Sequence, residues 1–523
     1  MSDTPATNSY DDVPYESLPF AQTHPSRLAT VATLFGLTPP PVARCRVLEL
    51  GCAAGGNLVP MAEALPESWF VGVDLSARQI ADGELTLRKT GLANVSLRHA
   101  SIADIDDTYG HFDYILCHGV FSWVPPAVQY AILNVCANHL TPSGVAYVSY
   151  NTYPGWHMRG MIRDMMRYHA LRFDTPTQRI GQARALLDFL AQTAKQDTGA
   201  YAVLLRSELE FMRNQSDHYL YHEQLEEVND PLYFHQFAAR ATACGLRYLG
   251  ESRVSTMVTG NFGADVQKTL AVLATDQVQT EQYLDFVRNR TFRETLLVRA
   301  EQEPDWSIAP ERVYGLHLAS GGKLVGKRVD LASDAAAQFQ SRSGMVVSTK
   351  GPLFKAAMLA LTEAWPGTVP FAEVLQRAVA KIGRPATDED SPTLALGLLN
   401  AHIASDLIEL HAEPVSFARA AGERPVALVH ARVRAAAGLA TVANRRHEVV
   451  KLSDLSLNLL PLLDGTRDRE ALADALAARA RAGDLTVQKE GQPIADPAEV
   501  RAALAATLGP ALDALARDAL LVG

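Results

Sequence analysis

The sequence of 523 residues has only five cysteines, and no two of them form a C-x-x-C pair. Single cysteines scattered in this way predict neither a disulfide framework nor a zinc site. No apolar run reaches the roughly 18 residues that a membrane-spanning helix needs. The N-terminal segment to Pro14 is polar and acidic, unlike a secretory signal. We therefore expect a cytoplasmic protein with no metal and no membrane span.

Positive charge is also scarce, because the chain carries a formal net charge of −10. A surface built to hold a phosphate backbone would be basic, so we expect no nucleic-acid partner. Apolar residues make up 48% of the chain and charged residues 20%, which is typical of a globular protein. The length exceeds that of one ordinary core and predicts two or three domains.

Between residues 46 and 152, short apolar segments alternate with segments of helical periodicity. This alternation predicts an α/β fold with a doubly wound, mostly parallel sheet. Before the first strand, a capping residue and a proline predict a helix over 23–35. The predicted strands of this part are 46–50, 69–73, 95–99, 114–117 and 145–150.

Strand patterns stop after Met158, and amphipathic helices follow, one with an apolar face of Leu186, Leu187, Phe189 and Leu190. A helix and two strands, at 246–250 and 291–300, then return and are expected to complete the sheet. Helices and short strands after residue 350 predict a winged-helix-like α+β domain. The predicted units are a catalytic core at 1–160, a helical insertion at 161–220, a sheet-completing segment at 221–303 and the C-terminal domain at 304–523.

The first strand leads into the turn ELGCAAGGN at 49–57, which fits the dinucleotide pattern G-x-G-x-x-G only in part. A pyrophosphate would be disfavoured beside the carboxylate of Glu49. S-adenosylmethionine instead presents an α-ammonium group, which an acid can orient, while Gly51 leaves the backbone bare for close approach. The turn therefore predicts S-adenosylmethionine as the cofactor.

Further polar residues stand where later strands end, at the sheet edge that holds ligands in such folds. Asp74 is predicted to bind the ribose hydroxyls, Asp104 and Ile102 to contact adenine, and His118 and Trp123 to line the pocket. The alternative is that the acids at the strand ends only cap helices. The candidate cofactor-binding residues are His24, Glu49, Gly51, Cys52, Ala53, Gly55, Asn57, Asp74, Leu75, Ser76, Ile80, Ile102, Asp104, His118, Gly119 and Trp123.

Five motifs together resemble one family: SYDDVPY at 9–15, PFAQTHPSR at 19–27, ELGCAAGGN at 49–57, NTYPGW at 151–156 and HEQLEEVN at 222–229. The chain is similar to bacterial class I methyltransferases with a methyltransferase regulatory domain, whose best-understood members are protein lysine methyltransferases acting on outer-membrane proteins. The resemblance implies a seven-stranded Rossmann-like sheet, S-adenosylmethionine as donor and a regulatory segment near 221–300. It also implies a methyl acceptor that is a lysine side chain of a protein.

A lysine acceptor must lose its proton before it attacks, and an aromatic slot that excludes water favours the neutral amine. We predict that Tyr10, Tyr15, Tyr153 and Trp156 form this slot, although the last two equally suit a packed loop. Two other functions remain open: a small-molecule methyltransferase, and a protein that binds S-adenosylmethionine without chemistry.

The acids Glu223, Glu226 and Glu227, with the domain beyond residue 303, are predicted to hold a lysine-rich protein acceptor. Surface acids of this kind would speed the encounter with the acceptor and lose their effect as salt rises. The alternative is an ordinary solvated helix face.

Overall fold

The computed structural model describes residues 17–489 and 492–522. Its seven central strands are β1 (Arg46–Leu50), β2 (Trp69–Asp74), β3 (Val95–His99), β4 (Phe112–Cys117), β5 (Leu140–Asn151), β6 (Leu246–Glu251) and β7 (Phe292–Arg299). They form one sheet in the order β3-β2-β1-β4-β5-β7-β6. β1 to β5 pair in parallel, whereas β7 runs antiparallel to β5 and β6. The predicted doubly wound, mostly parallel sheet of seven strands is confirmed.

Both faces of the sheet are covered, which explains why its strands are almost continuously apolar. Successive residues of β1 and β4 enter different cores: Val47 and Leu116 belong to one apolar cluster, Leu48 and Ile115 to the other. The helices that cover the sheet are α1 (Pro25–Leu34), α2 (Leu58–Ala64), α3 (Ala77–Thr90) and α4 (Pro126–His139). In α3, local sequence sets both ends. Ser76 Oγ accepts a hydrogen bond from the N–H of Gln79 at its start, and Gly91 adopts the left-handed conformation after its last turn.

The insertion after β5 is helical, as predicted. It contains α5 (Gly155–Ala170), α6 (Pro176–Thr193), α7 (Ala200–Arg213), α8 (Asp217–Leu220) and a π-helix at Tyr221–Leu225. These helices share a small core of their own that includes Met166, Leu187 and Leu205. The predicted apolar face of α6 is wrong in one respect, because Phe189 is 60% exposed while Leu187 is buried.

The segment that returns to the sheet comprises α9 (Phe234–Ala243), β6, α10 (Ala264–Leu273), α11 (Gln277–Arg288) and β7. Arg293 of β7 is fully buried and contacts side chains from several of these elements. Its guanidinium lies 2.5 Å from Glu251, 3.0 Å from Glu281 and 2.9 Å from Asp285, and it packs 3.8 Å above the ring of Phe234. A buried cation with several carboxylates and an aromatic face is well compensated, so this cluster ties β6, β7 and α11 into one unit.

Residues beyond β7 fall into two packed groups. The first contains the short strands β8 (His317–Ala319), β9 (Lys323–Val325), β10 (Ala337–Gln340), β11 (Val346–Thr349), β12 (Val369–Pro370) and β13 (Glu409–His411), with α12 (Pro352–Ala364), α13 (Phe371–Ile382) and α14 (Asp390–Ala404). Its apolar side chains belong to the same cluster as Leu28 of α1 and Val47 of β1. This group is therefore continuous with the core of the central sheet.

The second group has an apolar cluster of its own, which includes Leu428, Leu459, Leu476 and Leu512. It consists of α15 (Val429–Ala436), the hairpin β14 (Thr441–Ala443) and β15 (Val449–Lys451), α16 (Asp454–Leu459), α17 (Arg469–Ala482), β16 (Gln488–Lys489), β17 (Gln492–Pro493) and α18 (Pro497–Arg517). The domain boundaries predicted at residues 160, 220 and 303 stay predictions.

The last group is attached to the central sheet through α2. The carboxylate of Glu63 accepts hydrogen bonds from the backbone N–H groups of Val429 and His430, at 2.7 and 3.1 Å, and lies 2.5 Å from Nδ1 of His430. Arg445 donates to the carbonyl oxygen of Glu63 at 3.2 Å. Across residues 17–489 and 492–522, none of the helices combines the length and apolarity needed to cross a membrane.

Candidate active site

A cavity of about 430 Å³ opens where β1, β2 and β4 end, at the sheet edge where ligands bind in folds of this kind. Eleven of the predicted cofactor-binding residues line it together. They are Glu49, Gly51, Cys52, Ala53, Asn57, Asp74, Leu75, Ile102, His118, Gly119 and Trp123. The sequence motifs thus converge on one concave site with apolar walls and a few polar groups, as expected of a small-molecule site.

The turn after β1 depends on unusual backbone conformations. Gly51 has φ +76°, and a Cβ atom there would stand 2.4 Å from Cγ2 of Val120. Ala53 is left-handed as well, with φ +48°. Its N–H donates to Oδ2 of Asp74 at 2.8 Å, and this bond helps to hold the turn against the end of β2.

Asp74 therefore serves the fold as well as the cavity. Its Oδ1 accepts from the N–H of Ser76 at 2.8 Å while its Oδ2 accepts from Ala53. Backbone donors on both oxygens fix the carboxylate plane at the cavity wall. A carboxylate held in this way suits a pair of ribose hydroxyls, because it is pre-oriented before the ligand arrives.

Glu49 is buried, with 3% of its surface exposed. Its Oε1 accepts from Nδ2 of Asn57 at 2.7 Å, whereas its Oε2 is buried without a hydrogen-bond partner among the described residues. Burial raises the pKa of this carboxyl group to about 8. An unpaired carboxyl oxygen at the cavity wall fits the α-ammonium group of S-adenosylmethionine, which would supply the missing partner.

Asn57 connects the cavity to distant parts of the chain. Its Nδ2 also donates to Oγ1 of Thr23 at 3.0 Å, and its Oδ1 accepts from the N–H of Phe20 at 2.9 Å. The same Oδ1 lies 2.7 Å from Nε2 of His447, which stands between β14 and β15 of the C-terminal group. No pattern in the sequence singled out His447, since it lies far from every motif of the donor site.

His118 has a structural environment that keeps it uncharged at neutral pH. Its Nδ1 lies 2.9 Å from the hydroxyl oxygen of Tyr147 and 3.2 Å from Oγ of Ser149, and its ring packs 4.0 Å from that of Phe20. Burial lowers the pKa of the imidazole to about 4. The geometry favours a contact role for this ring over proton transfer.

The other predicted residues lie outside the cavity lining. His24 lines a different cavity, while Gly55, Ser76, Ile80 and Asp104 are not among the residues that line this one. Tyr153 stacks on His157 at 4.0 Å, and Trp156 is buried edge-on against Trp123 at 6.2 Å. Tyr10 and Tyr15 lie outside the described residues. The roles assigned to all of these residues stay predictions.

Two residues of the π-helix, His222 and Glu223, also line the cavity. Burial raises the pKa of the Glu223 carboxyl to about 7, and this side chain has no hydrogen-bond partner in the part of the chain that the structure describes. The alternative, a solvated acidic face, is wrong for two of the three acids, whereas the predicted role in holding an acceptor stays a prediction. Only Glu227 is exposed; Glu223 and Glu226 are half-buried, and Glu226 lies 3.2 Å from Nδ1 of His222. The motif HEQLEEVN did mark the segment, but a helical projection could not reveal a π-helix, which shifts the direction of each side chain.

Over the described ranges, His, Cys, Asp and Glu side chains form no group of three or more that could hold a metal ion. The cavity instead combines a glycine turn after β1, an oriented acid at the end of β2 and a buried unpaired acid. On this fold, that combination defines a class I S-adenosylmethionine-dependent methyltransferase.

Comparison with known proteins agrees with this class over almost the whole chain. Three family models match: a methyltransferase domain at 48–146, a predicted methyltransferase regulatory domain at 216–299 and the PKMT C-terminal winged helix domain at 423–520. The uncharacterized protein RP789 of Rickettsia prowazekii is 37% identical, over 98% of this chain and 94% of its own length. PKMT2 from Rickettsia typhi, solved in complex with AdoHcy, superposes with a TM-score of 0.87 at 31% identity, over 98% of this chain and all of that one.

The chain belongs to the family of bacterial class I methyltransferases that carry a methyltransferase regulatory domain and a PKMT winged helix domain. It is an S-adenosylmethionine-dependent methyltransferase. The predicted cofactor, regulatory segment and C-terminal winged-helix domain are thereby confirmed.

Proposed function

We propose that this methyltransferase modifies lysine side chains of proteins. One observation carries the proposal: a half-buried acid without a hydrogen-bond partner among the described residues, Glu223, lines the same cavity as the candidate donor-binding residues. An acid in that place suits an acceptor that arrives as a cation. The names PKMT2 and PKMT winged helix domain, carried by a relative and by the matching family model, support the same acceptor.

In this proposal the glycine turn and β2 hold the donor. Oε2 of Glu49 accepts from the α-ammonium group, and the carboxylate of Asp74 binds the ribose hydroxyls. The bare backbone at Gly51 allows close approach of the methionine portion, since any side chain there would already meet Val120. Ile102 contributes apolar surface on the adenine side.

The acceptor enters from the side of the π-helix, where Phe20, Trp123 and Phe292 provide aromatic walls. Aromatic faces attract alkylammonium groups and exclude water. Tyr10, Tyr15, Tyr153 and Trp156 remain our candidates for further slot residues. Of these, Trp156 would act through the ring of Trp123, against which it packs.

S-adenosylmethionine supplies a methyl group on a sulfonium; the lysine Nζ lone pair attacks its carbon, and the C–S electron pair stays on sulfur. The protein must therefore deliver Nζ without its proton. Burial lowers the pKa of an amine and raises that of a carboxyl group, so transfer of the proton from Nζ to Glu223 is less uphill in the cavity than in water. The carboxylate also attracts the protonated amine at the moment of binding.

The test is methyl transfer by the full-length protein with radiolabelled donor and cell extract. We expect label in protein bands, and in lysine after hydrolysis of those bands. Label confined to small metabolites would overturn the lysine proposal in favour of a small-molecule methyltransferase.

Glu223→Gln tests the residue itself. We expect kcat at neutral pH to fall by about 10²- to 10⁴-fold, the range usual for loss of a proton-transfer group, with the Kd for S-adenosylhomocysteine unchanged. Glu227→Gln is the matched control for kcat, because Glu227 is exposed and does not line the cavity, so the loss of its charge affects the encounter with the acceptor and not the proton transfer. If both variants keep the original kcat, Glu223 has no role in the acceptor site.

We also propose that the enzyme works in the cytoplasm. All five cysteines are free, four of them buried, and single unpaired thiols are typical of a reducing compartment. Fractionation of the producing cell would test this location, and a periplasmic enzyme would refute it.

A further inference from the structure

A second and larger cavity, of about 690 Å³, lies where α1, the turn after β6, β13 and the β14–β15 hairpin meet. It is built from five parts of the chain that are far apart in sequence, the fifth being Arg342 between β10 and β11. Arg253 is 65% exposed whereas Arg446 is 4% exposed, so the cavity reaches from the surface into the interior. Its volume lies in the usual range for a small-molecule site.

Guanidinium groups dominate the lining. Five arginines face the cavity against three carboxylates: Arg27, Arg253, Arg342, Arg445 and Arg446, with Asp406, Glu409 and Glu448. Two of the histidines in the wall, His24 and His402, add no charge at neutral pH, since burial lowers the pKa of each to about 4. Burial also lowers the pKa of the third, His411, which lies 3.2 Å from Glu409. The cavity is therefore electropositive.

Each of the three carboxylates already has an ion-pair or hydrogen-bond partner in the structure. Glu409 pairs with Arg446, and Glu448 lies 2.6 Å from Arg342. Asp406 accepts from the N–H and the hydroxyl group of Ser343, at 3.0 and 2.7 Å. Arg253 points to Glu294, outside the cavity, at 3.1 Å.

Among the described residues, the other two arginines form no ion pair, although Glu409 interacts electrostatically with Arg27 and Glu63 with Arg445. Arg445 donates only to carbonyl oxygens in the described structure, those of Ser416 and Glu63. The guanidinium of Arg27 has neither a hydrogen bond nor an ion pair with any described residue. Burial lowers the pKa of Arg27, which reflects a charge held in a poorly solvated place without full compensation.

An independent polar group points to the same ligand. Ser26, next to Arg27 in the cavity wall, is 6% exposed, and its hydroxyl is buried with no hydrogen-bond partner among the described residues. Buried hydroxyl groups are normally satisfied, so one left open beside an unpaired guanidinium indicates a missing acceptor. A planar guanidinium beside a hydroxyl donor matches the oxygens of a phosphate or a carboxylate.

We propose that this cavity is a second binding site, which takes a small molecule through a phosphate or carboxylate group held by Arg27, Arg445 and Ser26. Apolar side chains of Val254, Ile408 and Leu410 in the same wall would contact the rest of that molecule. The site is separate from the donor cavity, with which it shares no lining residue.

The experiment is a thermal-shift titration of the full-length protein with inorganic phosphate, pyrophosphate and citrate, each against sodium chloride of equal ionic strength. We expect a saturable rise in Tm with at least one of them. Saturation by phosphate or pyrophosphate identifies a phosphate site, and saturation by citrate alone identifies a carboxylate site. No saturable effect from any of the three would overturn the proposal.

Variants locate the binding. Arg27→Met should weaken binding of the anion that raises Tm by about tenfold or more. This is the usual effect of losing a hydrogen bond to a charged group. Arg44→Gln is the control, because Arg44 is exposed on the surface and outside the cavity. Retained binding of S-adenosylhomocysteine shows that each variant is folded.

If Arg27→Met does not fold, Ser26→Ala tests independently whether the anion binds at this site. It removes a hydroxyl that has no partner, so Tm without ligand should not fall, while anion affinity should drop about two- to tenfold. Unchanged anion affinity in folded Arg27→Met, or in Ser26→Ala, would place the binding elsewhere and refute the site.

Discussion

Donor binding should release a proton from Glu49. Its pKa of about 8 in the empty cavity means that about 0.9 of the molecules carry a protonated Glu49 at pH 7. An ammonium group in contact with the carboxylate lowers such a pKa by roughly one to three units. The bound value then lies between about 5 and 7, so each donor molecule should displace about 0.4 to 0.9 proton at pH 7.

The same shift makes donor affinity depend on pH. Between pH 6 and pH 8 the ionised fraction of Glu49 rises about 50-fold in the empty site but at most about tenfold in the occupied one. The two pKa ranges predict that affinity for S-adenosylhomocysteine increases about 5- to 50-fold across this interval.

Isothermal titration calorimetry measures both quantities. Titrations at pH 7 in phosphate and in Tris, which differ in ionisation enthalpy, report the protons released per donor bound. In Glu49→Gln the release should vanish and the affinity should lose its pH dependence. Glu67→Gln, at an exposed acid on the surface, is the control and should behave like the unaltered protein. Equal proton release by the unaltered protein and by Glu49→Gln would refute this role for Glu49.

Other predictions concern the turn, the buried cluster and the domain contact. Asp74→Ala should weaken S-adenosylhomocysteine binding by about 1.5 to 3 kcal/mol, measured by calorimetry, and an unchanged Kd would remove Asp74 from the site. Gly51→Val should lower Tm as well as donor binding, because φ is positive there and a Cβ meets Val120; a melt that coincides with that of the original protein contradicts the clash. Arg293→Met removes the cation shared by three buried carboxylates, of which Arg290 still contacts Asp285 and Glu251, and should cost about 3 to 5 kcal/mol of stability in urea unfolding, so a loss below about 1 kcal/mol would show that the cluster is dispensable. The pKa of Glu63 is lowered in the folded chain by its contacts with the winged helix domain, so its stabilisation is present above its unfolded pKa of about 4.3 and is lost as pH falls through the folded value. Urea midpoints of Glu63→Gln and of the unaltered protein should therefore differ at pH 7 and converge at acidic pH, and a constant difference would argue against this linkage.

Much of the donor side could be predicted because its information is local. Buried parallel strands are continuously apolar, and a glycine turn must follow the first of them if a ligand is to approach the backbone. Glu49 and Asp74 stand at fixed distances from those strands, so their meeting at one sheet edge follows from parallel pairing alone. The structure adds that Asp74 also holds the turn itself, through the N–H of Ala53.

The acceptor side and the second cavity could not be predicted in the same way. Glu223 faces inward because residues 221–225 form a π-helix, and sequence periodicity assumes 3.6 residues per turn. The prediction that Phe189 lies on the buried face of α6 is wrong, because this side chain is exposed. Helical periodicity shows which side chains share a face, whereas burial also depends on which other elements pack against that face. The cation-rich cavity draws its arginines from segments as distant as Arg27 and Arg446, which no local pattern connects.

The hydrogen bonds of Asn57 have a consequence for the order in which the protein becomes complete. Asn57 and His447 are separated by 390 positions along the chain. At about 5 to 20 residues per second, a ribosome needs roughly 20 to 80 seconds to pass from one to the other. Through that interval the nascent sheet can form, yet the amide oxygen beside Glu49 still lacks one of its partners. The donor site therefore matures after translation of its own motifs, when the winged helix domain docks and its histidine reaches the glycine turn.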